Sequence, residues 1–211
     1  MQMKTGLILN NFHVSSETPY KWKFIAETAD HYRQHGDFVI IASGSGVKPS
    51  SEYSNKFDYV GLQSPSNKIQ IMHNNPTLIK EALNICTKED CEKVLLLNPY
   101  YRIDNFDFLK EDLALLINEY IYIDDYIIEN KMSFDFLYTN LNLIKRAWFG
   151  RPWNYNIKNP RENLFENFKN IIGKKMMSKK AKFFTKKQLK LTELVIYWET
   201  NIQYIKHGEF T

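Results

Sequence analysis

Residues 93–100 read KVLLLNPY. Four consecutive aliphatic residues, Val94 to Leu97, stop at Asn98-Pro99 and a pair of tyrosines, Tyr100 and Tyr101. A run that is apolar at every position, with no polar alternation, is the pattern of a strand buried on both faces, as in the middle of a parallel sheet. Its abrupt polar end is where such sheets bind ligands, in the crevice beyond the carboxyl ends of the strands.

The neighbouring segments fit that reading. TGLILNNF (5–12) is a strand ending in two asparagines, and DFVIIASGSG (37–46) is a buried strand running into a Gly/Ser turn. Between them, residues 18–36 carry Trp22, Ile25, Ala29 and Tyr32 at helical spacing, with Gly36 at the C-terminal stop. FDYVGLQSPSN (57–67) reads as a shorter strand and loop. NPTLIKEALNICTKED (75–90) reads as a helix with Asn75 as N-cap, Pro76 at the first helical position, and an apolar face of Leu78, Ala82, Leu83 and Ile85. Strands alternating with helices predict an α/β fold with a mostly parallel central sheet flanked by helices. Residues 106–120 read as a further helix, 121–131 as strand and turn, 132–140 as a short strand, and 141–150 as the start of another helix.

The 211 residues suit a catalytic α/β domain over 1–157 with a basic helical extension, 158–211, packed on it. Apolar content is 44%, enough for a sizeable core, yet no apolar run approaches the roughly 18 residues of a membrane helix. Two cysteines, Cys86 and Cys91, without a CxxC spacing, argue against structural zinc and for a reduced, cytoplasmic protein. The net charge of +4 is uneven. Residues 1–140 hold 13 Lys and Arg against 19 Asp and Glu, whereas 141–211 hold 15 against 5. That asymmetry points to an anionic partner.

Several chemistries are excluded. SGSG (43–46) lacks the Lys-Ser/Thr of a phosphate loop and the spacing of a dinucleotide fingerprint. No Gly-x-Ser-x-Gly elbow is present. His31 and His35 lie four apart, as two ligands of a metal would, but no third ligand accompanies them. What remains is a set of strand ends carrying amides, a hydroxyl and rings: Asn10, Asn11, His13, Ser43, Asn98 and Tyr100. These are the groups a nucleotide or sugar pocket uses. Carboxylates Asp104, Asp107, Asp124, Asp125 and Asp135 follow. Asp104 can hold a divalent cation, since hard cations take oxygen ligands. Asp107 fits a helix N-cap. Asp135 sits inside the apolar SFDFLY, where a carboxylate needs a partner or a purpose.

The order of segments resembles the A-type glycosyltransferases, particularly those of lipopolysaccharide synthesis. The resemblance rests on IMHNNPTLIKEALNICTKEDCEKVLLLNPYYRIDNFDFL and, downstream, on DDYIIENKMSFDFLYTN and IKRAWFG, and covers roughly residues 5–155. It implies transfer of a sugar from a nucleotide-sugar donor to an acceptor hydroxyl, on an A-type fold. It implies a catalytic role for Asp135, with Asp104 beside it. Asn10, Asn11, His13, Ser43, Asn74, Asn75, Asn98 and Tyr100 would then contact the donor, and Arg102, Lys145, Arg146 or Arg151 would balance its diphosphate. One departure matters. Where the family carries Arg-Ser-Asp, this chain carries Asn98-Pro99-Tyr100. A manganese or magnesium ion would therefore rest on Asp104, or cationic side chains would replace it.

The composition, rich in Asn, Lys, Ile and Tyr, resembles proteins of AT-rich phages, some of which attach sugars to hydroxymethylated bases of their DNA. On that reading the enzyme works in the cytoplasm of a bacterial host. Lys174, Lys175, Lys179 and Lys180, with Lys182, Lys186 and Lys187, would then contact DNA phosphates. A surface glycan or lipopolysaccharide is the alternative acceptor. A non-catalytic nucleic-acid-binding protein, working through its basic tail alone, is the alternative of another class.

Overall fold

The computed structural model describes residues 4–63, 76–99, 101–102, 106, 109, 115–124, 127–149, 167, 170–171, 181–184 and 190–191. For residues 11, 63, 76–77, 101–102, 115–124, 127–136, 181–184 and 190–191 it describes the backbone alone.

Strands β1 (Thr5–Val14), β2 (Phe38–Gly46), β3 (Tyr59–Gln63) and β4 (Lys93–Leu97) alternate with helices α1 (Lys21–Arg33), α2 (Ser51–Ser54) and α3 (Pro76–Lys88). After β4 come β5 (Tyr101–Arg102), β6 (Leu115–Asp124), β7 (Ile127–Asn140), helix α4 (Leu141–Phe149), β8 (Ala181–Phe184) and β9 (Lys190–Leu191). The seven-stranded sheet has the order β3-β2-β1-β4-β7-β6-β8, and β5 and β9 form a separate pair. Pairings from β3 to β4 are parallel, β7 is antiparallel to β4 and β6, and β8 is parallel to β6. The fold is therefore α/β with a mostly parallel central sheet flanked by helices, as its strand–helix alternation leads one to expect.

β1 lies between β2 and β4, with α1 packed on one face and α3 and α4 on the other, and Leu7, Ile8 and Leu9 are fully buried. Leu7 and Leu9 join Ile40, Leu95 and Leu97 in a core against α1, which contributes Trp22, Ile25, Ala29 and Tyr32. Ile8 points the other way, into a core with Ile41, Leu96, and α3 and α4 residues including Ile79, Leu83, Ile144 and Trp148. Each such aliphatic side chain contributes on the order of 1.5–3 kcal/mol by leaving water.

Four local expectations are corrected. The stretch 106–120 is not one helix, because Leu115–Tyr120 belong to β6. From Ile117 onward that segment is dominated by β-branched and aromatic residues, which favour a pleated strand. β7 is a single 14-residue strand, so 127–131 and 132–140 are continuous. The buried face of α3 is Ile79, Ala82, Leu83 and Cys86, with Leu78 and Ile85 at its margin. In the basic stretch after 158, Asn167, Asn170 and Ile171 are helical, but 181–184 and 190–191 are strand.

Candidate functional site

The carboxyl ends of β1, β2 and β4 meet at one edge of the sheet. Leu9 is level with Leu97, and Asn10 is level with Ser43. Asn98 follows directly at the end of β4 and is buried. Asn10 continues the Ile8 side of the pleat, and Ser43 continues the Ile41 side, so the two share the face covered by α3. Asn10 is 1% exposed and Ser43 is 4% exposed. Among the described residues, neither the Asn10 Nδ2 and Oδ1 nor the Ser43 Oγ has a hydrogen-bond partner. Unpaired buried polar atoms are costly, at about 1–3 kcal/mol each, and so are rare in folded proteins.

Beyond this pair the register slips. The next match after Asn10 and Ser43 is His13 with Ser45, so Asn11 and Phe12 together oppose Gly44. This is a β-bulge, and it changes the phase of the strand. Phe12 and Val14 enter the α1-side core, which turns His13, between them, onto the face of Asn10. Gly44 makes room for the shift, since a Cβ there would lie 2.5 Å from the Phe12 ring. His13 Nδ1 lies 3.0 Å from Ser45 Oγ, and the Ser45 hydroxyl reaches the Phe12 carbonyl at 3.4 Å. With the hydroxyl donating to that carbonyl, its oxygen accepts from Nδ1–H, leaving the lone pair on Nε2. Lys21 Nζ donates to the His13 carbonyl at 3.3 Å, and burial lowers the Lys21 pKa. On the α1 side, Thr28 Oγ1 donates to the Pro99 carbonyl at 2.8 Å, tying the helix to the end of β4.

Asp135 lies one residue beyond Phe136, the partner of Leu97, at the end where Asn98 leaves β4. It also falls within a register shift between β6 and β7. Arg102 is in β5, directly opposite Lys190 of β9. Arg146 is exposed on α4. Lys145 is not brought to the strand ends. Its Nζ donates to Thr87 Oγ1 at 3.0 Å, near the far end of α3. Lys182 stands in β8, level with Leu116. The side chain of Asn11 lies outside the described residues, as do Asn74, Asn75, Tyr100, Asp104, Asp107, Asp125, Arg151, Lys174, Lys175, Lys179, Lys180, Lys186 and Lys187.

Among the described residues no group of three His, Cys, Asp or Glu could hold a metal ion. His31 and His35 instead join an aromatic cluster, with His35 stacked on Phe106 at 4.3 Å. No described helix is long and apolar enough to cross a membrane. Sequence reading missed Lys21, and it marked the strand end that holds Ser45 without giving Ser45 a role. Ser45 was within reach of it, being two residues beyond Ser43 on a strand of period two.

No protein-family model matches the chain, and no curated protein matches it. Among solved structures, it is similar to the galactosyltransferase LgtC, crystallised in complex with donor and acceptor sugar analogues. The identity is 12% and the TM-score 0.39, over 79% of this chain and 70% of that one.

Proposed function

We propose that the chain is a glycosyltransferase that takes its sugar from a nucleotide-sugar donor. The observation that carries this reading is the buried pair Asn10 and Ser43, whose polar atoms lack partners among the described residues. An amide offers one acceptor and two donors, and a hydroxyl offers both roles. Held at the carboxyl ends of adjacent parallel strands, such groups suit the polar edge of a nucleobase or the hydroxyls of a ribose. His13, steadied by Ser45, adds a further acceptor on the same face. The order of motifs along the chain, which resembles A-type glycosyltransferases, supports the same class.

In this reaction Asp135 takes the proton of the acceptor hydroxyl. The hydroxyl oxygen then bonds to the anomeric carbon, and the bond from that carbon to the diphosphate oxygen breaks. The nucleoside diphosphate leaves with the bonding electrons. Arg102, beside Lys190, supplies positive charge toward it. A divalent ion held by Asp104 would be an additional source of positive charge. The acceptor we favour is a polyanion such as DNA carrying hydroxymethylated bases, because the charge asymmetry collects lysines after residue 158. A surface glycan is the other acceptor to test.

The test is thermal denaturation of the full chain against a panel of nucleotides and nucleotide sugars, with manganese and with EDTA. A ligand at about 100 times its dissociation constant adds roughly 2.7 kcal/mol. A stabilising nucleotide sugar, whose effect is clearly reduced in Asn10→Ala, supports the reading. A full panel without any stabilisation sinks it.

A further inference from the structure

The two cysteines lie at the opposite edge of the sheet from the polar face. α3 ends in a turn closed by two bonds. The Cys91 N–H donates to the Cys86 carbonyl at 2.9 Å, and the Asp90 N–H donates to the Thr87 carbonyl at 3.3 Å. Asp90 has φ +54°, the left-handed conformation that folds the chain back on the helix. In this kind of turn the side chains at its two ends meet, commonly as an apolar contact. Here the two ends are Cys86 and Cys91, both buried and both free thiols.

The thiols share a hydrogen bond. Gly6 of β1 is the floor beneath them. A Cβ there would collide with Cys86 Sγ and lie 3.7 Å from Cys91 Sγ, so both sulfurs stand over one bare backbone atom. The arrangement is also polarised. The Cys86 hydrogen bond holds the Cys91 thiol below its ordinary value. Lys4 acts the same way, while burial, Glu89 and Asp37 oppose. The contact with Cys91, together with burial, pushes the Cys86 thiol up. One sulfur is thus favoured as the nucleophile and the other as the reserve.

We propose that Cys86 and Cys91 form a thiol–disulfide exchange site, closing to an intramolecular disulfide in the folded protein when a low-molecular-weight disulfide such as oxidised glutathione is supplied. The Cys91 thiolate attacks one glutathione sulfur. The glutathione S–S bond breaks, one glutathione leaves as thiolate, and Cys91 carries the other in a mixed disulfide. The Cys86 thiol then attacks the Cys91 sulfur and expels the second glutathione, whose thiolate takes up the Cys86 proton. Two protein thiols are oxidised and one small disulfide is reduced to two thiols. The bridge clamps the end of α3 to the approach of β4.

The experiment treats the native full-length chain with oxidised glutathione, blocks remaining thiols with N-ethylmaleimide, and digests with trypsin. Lys88 lies between the cysteines, so trypsin separates peptides 81–88 and 89–93 unless a disulfide joins them. The expected result is the joined pair, separated again by dithiothreitol. In Cys86→Ser, Cys91 should instead accumulate as the glutathione mixed disulfide. Wild-type peptides that both remain alkylatable, or a stable glutathione adduct on wild-type Cys91, would overturn the proposal. So would a cross-link that forms only in urea.

Discussion

His13 and Ser45 are joined across β1 and β2 by a 3.0 Å hydrogen bond that requires the bulge at Asn11 and Phe12. His13 lies three positions after Asn10, so an unbroken strand would place them on opposite faces. The bulge brings both to one face and builds a polar patch that the linear spacing does not contain.

Asn10→Ala separates binding from stability. Because the Asn10 amide has no partner among the described residues, its removal should leave the melting midpoint unchanged or raise it. Nucleotide binding should weaken by about tenfold or more, as expected for a lost hydrogen bond worth over about 1.4 kcal/mol. A clear drop in the melting midpoint without ligand would mean that Asn10 is structural.

Asp135→Asn keeps the size of the side chain and removes its basicity. If Asp135 is the general base, turnover should fall at least about 100-fold while the donor-induced thermal shift persists. Turnover close to wild type would move the base elsewhere, with His13 the next residue to substitute.

Gly46→Ala tests the turn after β2. Gly46 has φ +110°, and a Cβ there would collide with the Val14 carbonyl, which already accepts the Val47 N–H at 2.8 Å. The Val47 carbonyl in turn accepts from Trp22 Nε1 at 3.0 Å. Strain of this kind costs about 1–3 kcal/mol, and each kcal/mol lowers the midpoint of a chain this size by roughly 2–4 °C. A melt that matches wild type would show that the turn relaxes freely.

Tyr138 sets a limit at high pH. Its phenol is buried, and that burial pushes its pKa up to about 12, against about 10 in an unfolded chain. The unfolded state therefore loses the proton first. The contribution is complete below pH of about 10 and is lost as pH rises through the folded value, by about 2–3 kcal/mol in all. Urea midpoints measured across that window should fall for wild type and stay flatter for Tyr138→Phe. Parallel curves would assign the alkaline loss to other groups.

How much of this was legible before the structure depends on the kind of signal. KVLLL announces a strand buried on both faces because every residue is apolar, and β4 spans those five residues. Trp22, Ile25, Ala29 and Tyr32 announce α1, and all four are buried. β6 was misread because its start, LLINEY (115–120), continues a stretch that also satisfies helical spacing, and strand pairing overrode that local preference. The face of α3 was misjudged because Cys86 packs over Gly6 of β1, a contact between residues 80 positions apart that helical spacing alone does not show. For the site, Asn10 and Ser43 stand out as polar groups ending apolar runs. That they are level with each other is a matter of register, and that His13 joins them is a matter of a bulge. Neither leaves a trace in composition or spacing.

β8 runs parallel to β6 and forms the outer strand of the sheet on that side. The lysine-rich third of the chain is thus more than an appendage. Cutting at residue 158 would bare Leu115–Asn118 of β6, the part that β8 pairs with, leaving its backbone groups ready to pair with another copy. Such a truncation should be judged first by whether it aggregates, because an insoluble fragment would say more about edge protection than about the capture of any acceptor.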